Sequence, residues 1–181
     1  MKKYMKLDDM EIIHFKLHPA QTARLADIYE DGEGVERNEL RASNLYWWSA
    51  VLGDPYAQTV LANSYLTGKH IKKDETQALE WFRRSAEQGN PYAQYEVGMR
   101  VTDGDGSLLW LHSSAKQGFT SAMKELSDRL REVDPKRSKK WLQRYYRKKN
   151  TIETINGKKY MKQIRKMKMP EVINGEVVIE I

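Results

Sequence analysis

The sequence predicts an all-α solenoid, in which pairs of antiparallel helices stack on one another, because short phrases recur at one spacing. Gly-Asp-Pro-Tyr-Ala-Gln begins at Gly53, and Gly-Asn-Pro-Tyr-Ala-Gln begins 36 residues later at Gly89. The same spacing separates Gly32 from Gly68. A fixed period of this length is typical of repeat proteins, in which each unit buries its apolar face only against its neighbours. The chain has 181 residues, which is enough for about four units of two helices each.

Each repeat is predicted to contain a first helix and a second helix joined by a turn. Asp54 starts the first helix of the second repeat, because its side-chain oxygen accepts a hydrogen bond from an amide without a partner inside the helix. Proline is favoured at the next position, since its missing N–H would have had no partner there either. Asn90 and Pro91 repeat this arrangement. Gly68 falls where the end of a helix needs a left-handed residue. The second helix follows with one apolar face at helical spacing, formed by Ala78, Trp81, Phe82 and Ala86.

The second repeat carries a longer pattern of small, apolar and aromatic residues at fixed offsets. Its members are Ala57, Leu61-Ala62, Tyr65, Gly68, Ile71, Asp74, Ala78, Trp81-Phe82, Ala86 and Gly89. This pattern resembles the Sel-one-like repeat, a relative of the tetratricopeptide repeat, which has Leu-(Ala/Gly)-x-x-Tyr-x-x-Gly-x-Gly-Val before its second helix. The second repeat departs from the family at His70, where a second glycine is expected. The first repeat keeps that glycine as Gly34.

The resemblance covers residues 20–148 and implies about four repeats. Residues 1–19 then form an N-terminal extension, and residues 149–181 form a basic tail rich in β-hairpins. The third repeat is shortened, since Gly104 stands seven residues closer to Trp110 than Gly68 stands to Trp81. We expect the turn and the early part of the second helix to be missing from this repeat. A divergent fourth repeat ends in a helix that begins at Asp134-Pro135.

The tail has the composition of a small β-rich appendage. Asn156-Gly157 and Asn174-Gly175 each lie between runs of β-branched residues, and Asn-Gly between such runs is the strongest short hairpin signal. The appendage either packs on the last helix of the solenoid or offers a strand edge to a partner. Between the two pairs, residues 159–168 fit a strand and a helix equally. Near the N-terminus, residues 13–17 alternate between apolar and polar, which favours a short strand over a helical extension.

Charge is distributed unevenly along the chain. The formal net charge is +6, but residues 1–121 sum to −3 and residues 122–181 to +9. Residues 136–168 hold most of the excess, so they form either a solvated basic face or a docking surface for an acidic protein or a nucleic-acid backbone. The residues chosen to represent this surface are Lys139, Lys140, Arg144, Arg147, Lys148 and Lys149.

No cofactor, metal or catalytic site is indicated. His14 and His18 are four residues apart, but their segment has an extended pattern and no third ligand is evident. The absence of cysteine excludes disulfides and thiolate metal sites and suits a reducing cytoplasm, where we expect the protein to act. No secretory signal is recognisable, and no run of ~20 apolar residues could span a membrane.

The resemblance implies a non-enzymatic protein–protein interaction module, in which the first helix of each repeat lines a concave binding surface. The positions left exposed on those helices are the predicted partner contacts, with a purely solvent-facing role as the alternative: Asp27, Glu30, Asn63, Leu66, Tyr95 and Met99. Members of the family usually act as adaptors or regulators, and some small bacterial members neutralise a toxin encoded beside them. The alternative function is binding of a nucleic acid or an acidic partner through the basic surface.

Overall fold

The computed structural model of the chain describes residues 4–6, 18–102, 104–149, 171–173 and 176–180. The helices within them are α1 (Pro19–Asp31), α2 (Glu39–Val51), α3 (Pro55–Thr67), α4 (Glu75–Glu87), α5 (Pro91–Arg100), α6 (Gly104–Lys116), α7 (Thr120–Leu130) and α8 (Pro135–Lys149). The strands are β1 (Tyr4–Lys6), β2 (Glu171–Ile173) and β3 (Glu176–Glu180). The odd-numbered helices are the first helices of the repeats. The predicted all-α solenoid of helix pairs is confirmed.

The chain divides into two compact lobes. The N-terminal lobe contains residues 1–75 and 161–181, and the C-terminal lobe contains residues 76–160. In the N-terminal lobe α1 packs against α2, and α2 packs against α3. In the C-terminal lobe α5 packs against α6, α6 against α7, and α7 against α8. Consecutive helices are therefore neighbours in each lobe, as the repeat pattern predicts.

The predicted helix starts are confirmed by their hydrogen bonds. The Asp54 carboxylate accepts from the amide of Ala57 at 2.7 Å, and the Asn90 side chain accepts from the amide of Ala93 at 3.1 Å. At the other end, Gly68 closes α3 with a φ of 76°, a conformation in which residues with a Cβ are strained. Local sequence alone therefore determines where these helices begin and end.

His70 occupies the position of the family's second glycine and keeps the glycine conformation. Its φ is 62°, close to the 78° of Gly34 at the equivalent position of the first repeat. A side chain in this region costs about 1–2 kcal/mol. The imidazole Nε2 lies 3.3 Å from a carboxylate oxygen of Glu39. The second repeat therefore accepts a strained residue in its turn and places a side chain where the first repeat has none.

The third repeat is shortened in its turn, as the sequence predicted, but not in its second helix. Its second helix, α6, has 13 residues, as many as α4. Its first helix, α5, has only 10 residues where α3 has 13, and residues 101–103 replace the longer connection at 68–74. Gly104 thus begins a helix instead of ending one. The expected loss of the early second helix is wrong, because glycine is tolerated at either place.

Close helix contacts in the C-terminal lobe depend on small residues. A Cβ added to Gly98 of α5 would lie 2.8 Å from Cγ of Leu111 and 3.1 Å from its backbone nitrogen. Leu111 is fully buried in a core that also contains Leu126 and Trp141. The absence of a side chain at Gly98 is therefore what allows α6 to approach α5.

The strands form a three-stranded antiparallel sheet in the order β1-β3-β2. Ile173 pairs with Glu176, so β2 and β3 flank Asn174-Gly175, and Met5 of β1 pairs with Ile179. The sequence did not predict β1, because three residues are too few to show alternation and their partner strand is at the opposite end of the chain. The predicted hairpin at Asn156-Gly157 and the predicted strand at 13–17 lie outside the described residues.

Gly98→Ala should destabilise the protein although alanine is the better helix former by about 1 kcal/mol. Overpacking of this kind costs about 1–3 kcal/mol, so after this gain we expect a net loss of up to about 2 kcal/mol in the free energy of unfolding, measured by urea denaturation. Gly104→Ala is the matched control, because a Cβ there has nothing within 4 Å. Equal behaviour of the two variants would show that the α5–α6 contact is not tight.

His70→Gly should raise the free energy of unfolding by up to about 1 kcal/mol, since relief of the left-handed strain outweighs an exposed ion pair worth about 0–1 kcal/mol. His70→Val should lower it by a similar amount, because a β-branched residue is least tolerated at positive φ. Both are measured by urea denaturation. Glu39→Gln removes the same contact, together with the exposed ion pair of Glu39 with Arg37, without changing the backbone. If His70→Gly were less stable than Glu39→Gln, the strain argument would be wrong.

Candidate protein-binding surface

The six predicted contact residues all lie on first helices of repeats. Asp27 and Glu30 belong to α1, Asn63 and Leu66 to α3, and these four are in the N-terminal lobe. Tyr95 and Met99 belong to α5 in the C-terminal lobe. Met99 is exposed, and the other five are partly buried. Whether they contact a partner stays a prediction, but their surroundings in each lobe are defined.

A cavity of about 280 Å³ lies among α1, α2, α3 and the turn after α3. It brings together two of the predicted residues, Glu30 and Asn63, whereas Asp27 and Leu66 are not among its lining residues. Its buried side includes Ala42, Tyr46 and Leu61. The remaining lining residues are Glu39, Ser43, Val60, Ser64, Thr67, Lys69 and His70. The cavity therefore has apolar and aromatic walls and a charged rim.

Two ion pairs hold the turn over this cavity. The ammonium of Lys69 lies 3.3 Å from a Glu30 carboxylate oxygen, and His70 pairs with Glu39 at the same distance. All four side chains are partly exposed to solvent, so each pair contributes little to stability. The sequence reading missed Glu39, Lys69 and His70 as site residues. In the sequence, the only indication of these residues was His70 at the position where the family has a second glycine.

Asp27 is engaged inside the N-terminal lobe. The hydroxyl of Tyr46 from α2 donates to its Oδ1 at 2.6 Å, and the hydroxyl of Tyr56 from α3 lies 3.2 Å from the same oxygen. Arg24 lies 3.6 Å from the other oxygen. The carboxylate therefore ties three helices together. A partner could reach it only by competing with these groups.

Burial and the shared hydroxyl of Tyr46 together set the electrostatics of this cluster. This hydroxyl also lies 3.0 Å from Oε2 of Glu30, yet a hydroxyl has one proton to donate. Burial raises the pKa of the Asp27 carboxyl above its ordinary value, against the lowering effect of Tyr46 and Arg24. Burial, followed by the charge of Asp27, raises the pKa of both Tyr46 and Tyr56. Both tyrosines thus stay protonated and remain donors.

In the C-terminal lobe the predicted residues Tyr95 and Met99 differ in exposure. The ring of Tyr95 lies 5.2 Å from that of Phe119 and packs against the core. Met99 is 39% exposed, and its sulfur lies 3.8 Å from a guanidinium nitrogen of Arg129. Met99 is therefore the one of the pair that a partner could contact without any rearrangement of the core.

The six residues chosen to represent the predicted basic surface all lie on α8. Five of its members are exposed and Lys148 is half-buried. No acidic residue occurs between Pro135 and Lys149. The helix is anchored by Trp141, which is buried, lies edge-on to the His112 ring and has the Arg144 guanidinium 4.8 Å above its face. The basic side chains therefore lie on a helix whose buried side is held in place by Trp141.

The described residues form neither a metal-binding cluster nor a membrane-spanning helix. Among those residues no group of three or more His, Asp or Glu side chains is placed to hold a metal ion. None of the described helices combines the length and apolar character needed to cross a membrane.

Tyr46→Phe should lower the free energy of unfolding by about 1.5–3 kcal/mol, because it removes a hydrogen bond to a charged group and leaves the Asp27 carboxylate poorly satisfied. Urea denaturation measures the loss. Tyr65→Phe is the control: Tyr65 is partly buried on α3, and its hydroxyl takes no part in the Asp27 cluster. Similar losses for both variants would contradict a structural role for that cluster.

A comparison with known protein families finds four repeats in the chain. The model of the family described as the Sel1 repeat matches residues 22–46, 55–90, 91–119 and 127–149. No curated protein gives a significant match. The crystal structure of a Sel1 repeat protein from Oxalobacter formigenes is 30% identical, with a TM-score of 0.61, over 67% of this chain and 97% of that chain.

Two further structures are more distant or much longer. The protein c5321, a protective antigen of uropathogenic Escherichia coli with an SLR fold, is 29% identical with a TM-score of 0.62; the match covers 70% of this chain but only 30% of that chain. The immunity protein Pa5087 from Pseudomonas aeruginosa is 21% identical over 70% of this chain and 67% of that chain, with a TM-score of 0.43. That similarity is too low to bear on function.

Sel1 repeat proteins generally mediate protein–protein interactions. The family model matches more than half of this chain, and its four matched segments follow the helix pairs of the structure. The chain therefore belongs to the Sel1 repeat family.

Proposed function

We propose that this chain is a non-catalytic module that binds a protein partner through the first helices of its repeats. The observation that carries the proposal is the cavity among α1, α2 and α3, with its buried aromatic and apolar walls and its rim of opposite charges. A volume of about 280 Å³ is at the lower end for small-molecule sites. It suits one large side chain of a partner better than a cofactor.

The rim supports recognition of a polypeptide. Glu30 and Glu39 offer acceptors, while Lys69 and His70 offer donors, all at partly exposed positions. Exposed ion pairs are worth about 0–1 kcal/mol, so a partner can exchange them for its own polar groups at little cost. The buried Tyr46 and Leu61 beneath them supply the apolar contact area from which hot spots are built.

Met99 supports a second contact in the C-terminal lobe. An exposed methionine can adapt its flexible side chain to different partner surfaces. Charged neighbours flank it, since Arg129 lies 2.7 Å from Glu125 and Arg100 pairs with Glu96. An apolar centre with a polar rim is the usual anatomy of a protein interface.

The narrower role, that of a bacterial adaptor or of an immunity protein that neutralises a toxin in the cytoplasm, rests on the family resemblance alone. A toxin is one class of protein that the first helices could bind. Identification of the partner decides between the two roles, because an immunity protein captures one toxin tightly whereas an adaptor brings several proteins together.

Ser43→Tyr tests the cavity. Ser43 is partly buried on α2 and lines the cavity, so a tyrosine there should fill the space and weaken binding at least about tenfold. The partner is captured from the native organism with the full chain, identified by mass spectrometry, purified and titrated by calorimetry. Asn44→Tyr is the matched control, because Asn44 is the next residue, is exposed and does not line the cavity.

The same titration with Met99→Asp reports on the C-terminal lobe, and Leu40→Asp is its control on an exposed position of a second helix. If neither Ser43→Tyr nor Met99→Asp weakens binding relative to its control, the partner does not use the first helices. Capture of nuclease-sensitive material alone would overturn the proposal in favour of nucleic-acid binding.

A further inference from the structure

A second cavity, of about 610 Å³, lies among α6, α7 and α8 in the C-terminal lobe. It is formed by α6, α7 and α8, and none of the contact residues proposed above on α1, α3 and α5 lines it. Its apolar and aromatic lining consists of Leu108, Leu109, Leu126, Leu130, Trp141 and His112. Two of these, Leu126 and Trp141, also belong to the buried core. The back wall is therefore held in place by the packing of the lobe.

The mouth of this cavity displays apolar surface to solvent. Leu109 is 70% exposed, although it lines the cavity. Covering a leucine side chain completely is worth about 1.5–3 kcal/mol. A ligand that closes the mouth would gain this energy together with contacts to the wall behind it.

One cation lines this cavity and two others act on its wall. Arg137 lines the cavity and makes an exposed ion pair of 3.3 Å with Asp134. Burial, and then the charges of Lys116, Arg137 and Arg144, lower the pKa of His112 in the cavity wall. Three cations therefore act on one point of the lining. Asp105 is the single acidic residue among the residues that line the cavity.

We propose that this cavity and the adjoining basic face of α8 form a docking site for an acidic protein segment that inserts one large apolar side chain. The cavity receives the apolar side chain, and the cations of α6 and α8 bind the flanking carboxylates. Desolvated apolar contact supplies most of the affinity, while complementary charge selects the partner and speeds association.

The two features together favour a protein segment over a nucleic acid. A phosphate backbone would neutralise the α8 cations but would leave Leu109 and the apolar walls uncovered. Charge also disfavours this chain's own residues 150–170 as the occupant, because they carry six basic residues and one acidic residue. An acidic segment with one large apolar side chain would fill the cavity and would also pair with the basic residues of α8.

The test uses the full chain and a fluorescein-labelled synthetic peptide in which one leucine lies between runs of glutamate. Fluorescence anisotropy should show binding that weakens at least about tenfold when the leucine is replaced by serine. Binding should vanish when the glutamates are replaced by lysines. A short single-stranded DNA serves as the competing probe.

Matched variants locate the site. Leu109→Asp and Arg137→Glu should each weaken binding of the leucine peptide about tenfold or more. Leu40→Asp is the control for the first, since Leu40 is 69% exposed where Leu109 is 70% exposed. Arg83→Glu on the exposed side of α4 is the control for the charge reversal. Circular dichroism confirms that each variant keeps its helices.

Three results would overturn the proposal. Equal binding of the serine and leucine peptides would show that the cavity is unused. DNA binding that depends on Arg137 but not on Leu109 would assign the face to a nucleic acid. Failure of the leucine peptide to bind at millimolar concentration would remove the site altogether. None of these results bears on α1, α3 and α5, so the proposed function is tested separately.

Discussion

The structure depends on how closely its helices approach one another, and small residues make that approach possible. Ala57 and Ala93 occupy equivalent positions of two repeats and are both fully buried. Helices this close can be joined by short polar side chains. The hydroxyl of Ser49 donates to the carbonyl of Pro19 at 2.7 Å, and that of Ser114 donates to the carbonyl of Pro91 at 2.6 Å. Each bond joins the second helix of a repeat to the start of the first, which fixes the orientation of the pair.

The connection between the two helices of a repeat varies, and the candidate surface varies with it. In the second repeat the connection is long enough to carry Lys69 and His70 onto the helices of the first repeat, where they form the rim of a cavity. In the third repeat residues 101–103 replace it, so no such turn covers α5 and α6. The repeats thus share one packing scheme while differing in the polar groups that they present.

Much of the fold could be predicted because its determinants are local. Asp54-Pro55 and Asn90-Pro91 mark helix starts by their own hydrogen bonds. The site was harder to predict, because its contacts join distant residues: Asp27 is bonded by tyrosines 19 and 29 residues away. Asp27 was expected to be a contact residue because it lies on the face of α1 that the repeat pattern leaves over, and the structure adds that this carboxylate is bonded within the lobe. The basic residues of α8 were recognisable from composition, whereas the cavity beside them arises only from the packing of three helices.

The two cavities differ in how they would select a partner. At the rim of the first, Glu30 pairs with Lys69 and Glu39 pairs with Arg37, so the charges largely cancel and shape and hydrogen bonding decide what fits. At the second, Arg137 and Arg144 stand on a helix without acidic residues, so the field extends into solvent and is subject to screening over about 8–10 Å at physiological salt. Binding at the first should therefore depend little on ionic strength, while association at the second should slow as salt rises. One repeat architecture can therefore carry two binding surfaces that differ in how strongly salt affects them. The charged side chains of each surface take little part in the packing between helices, so their identity can change without changing the fold.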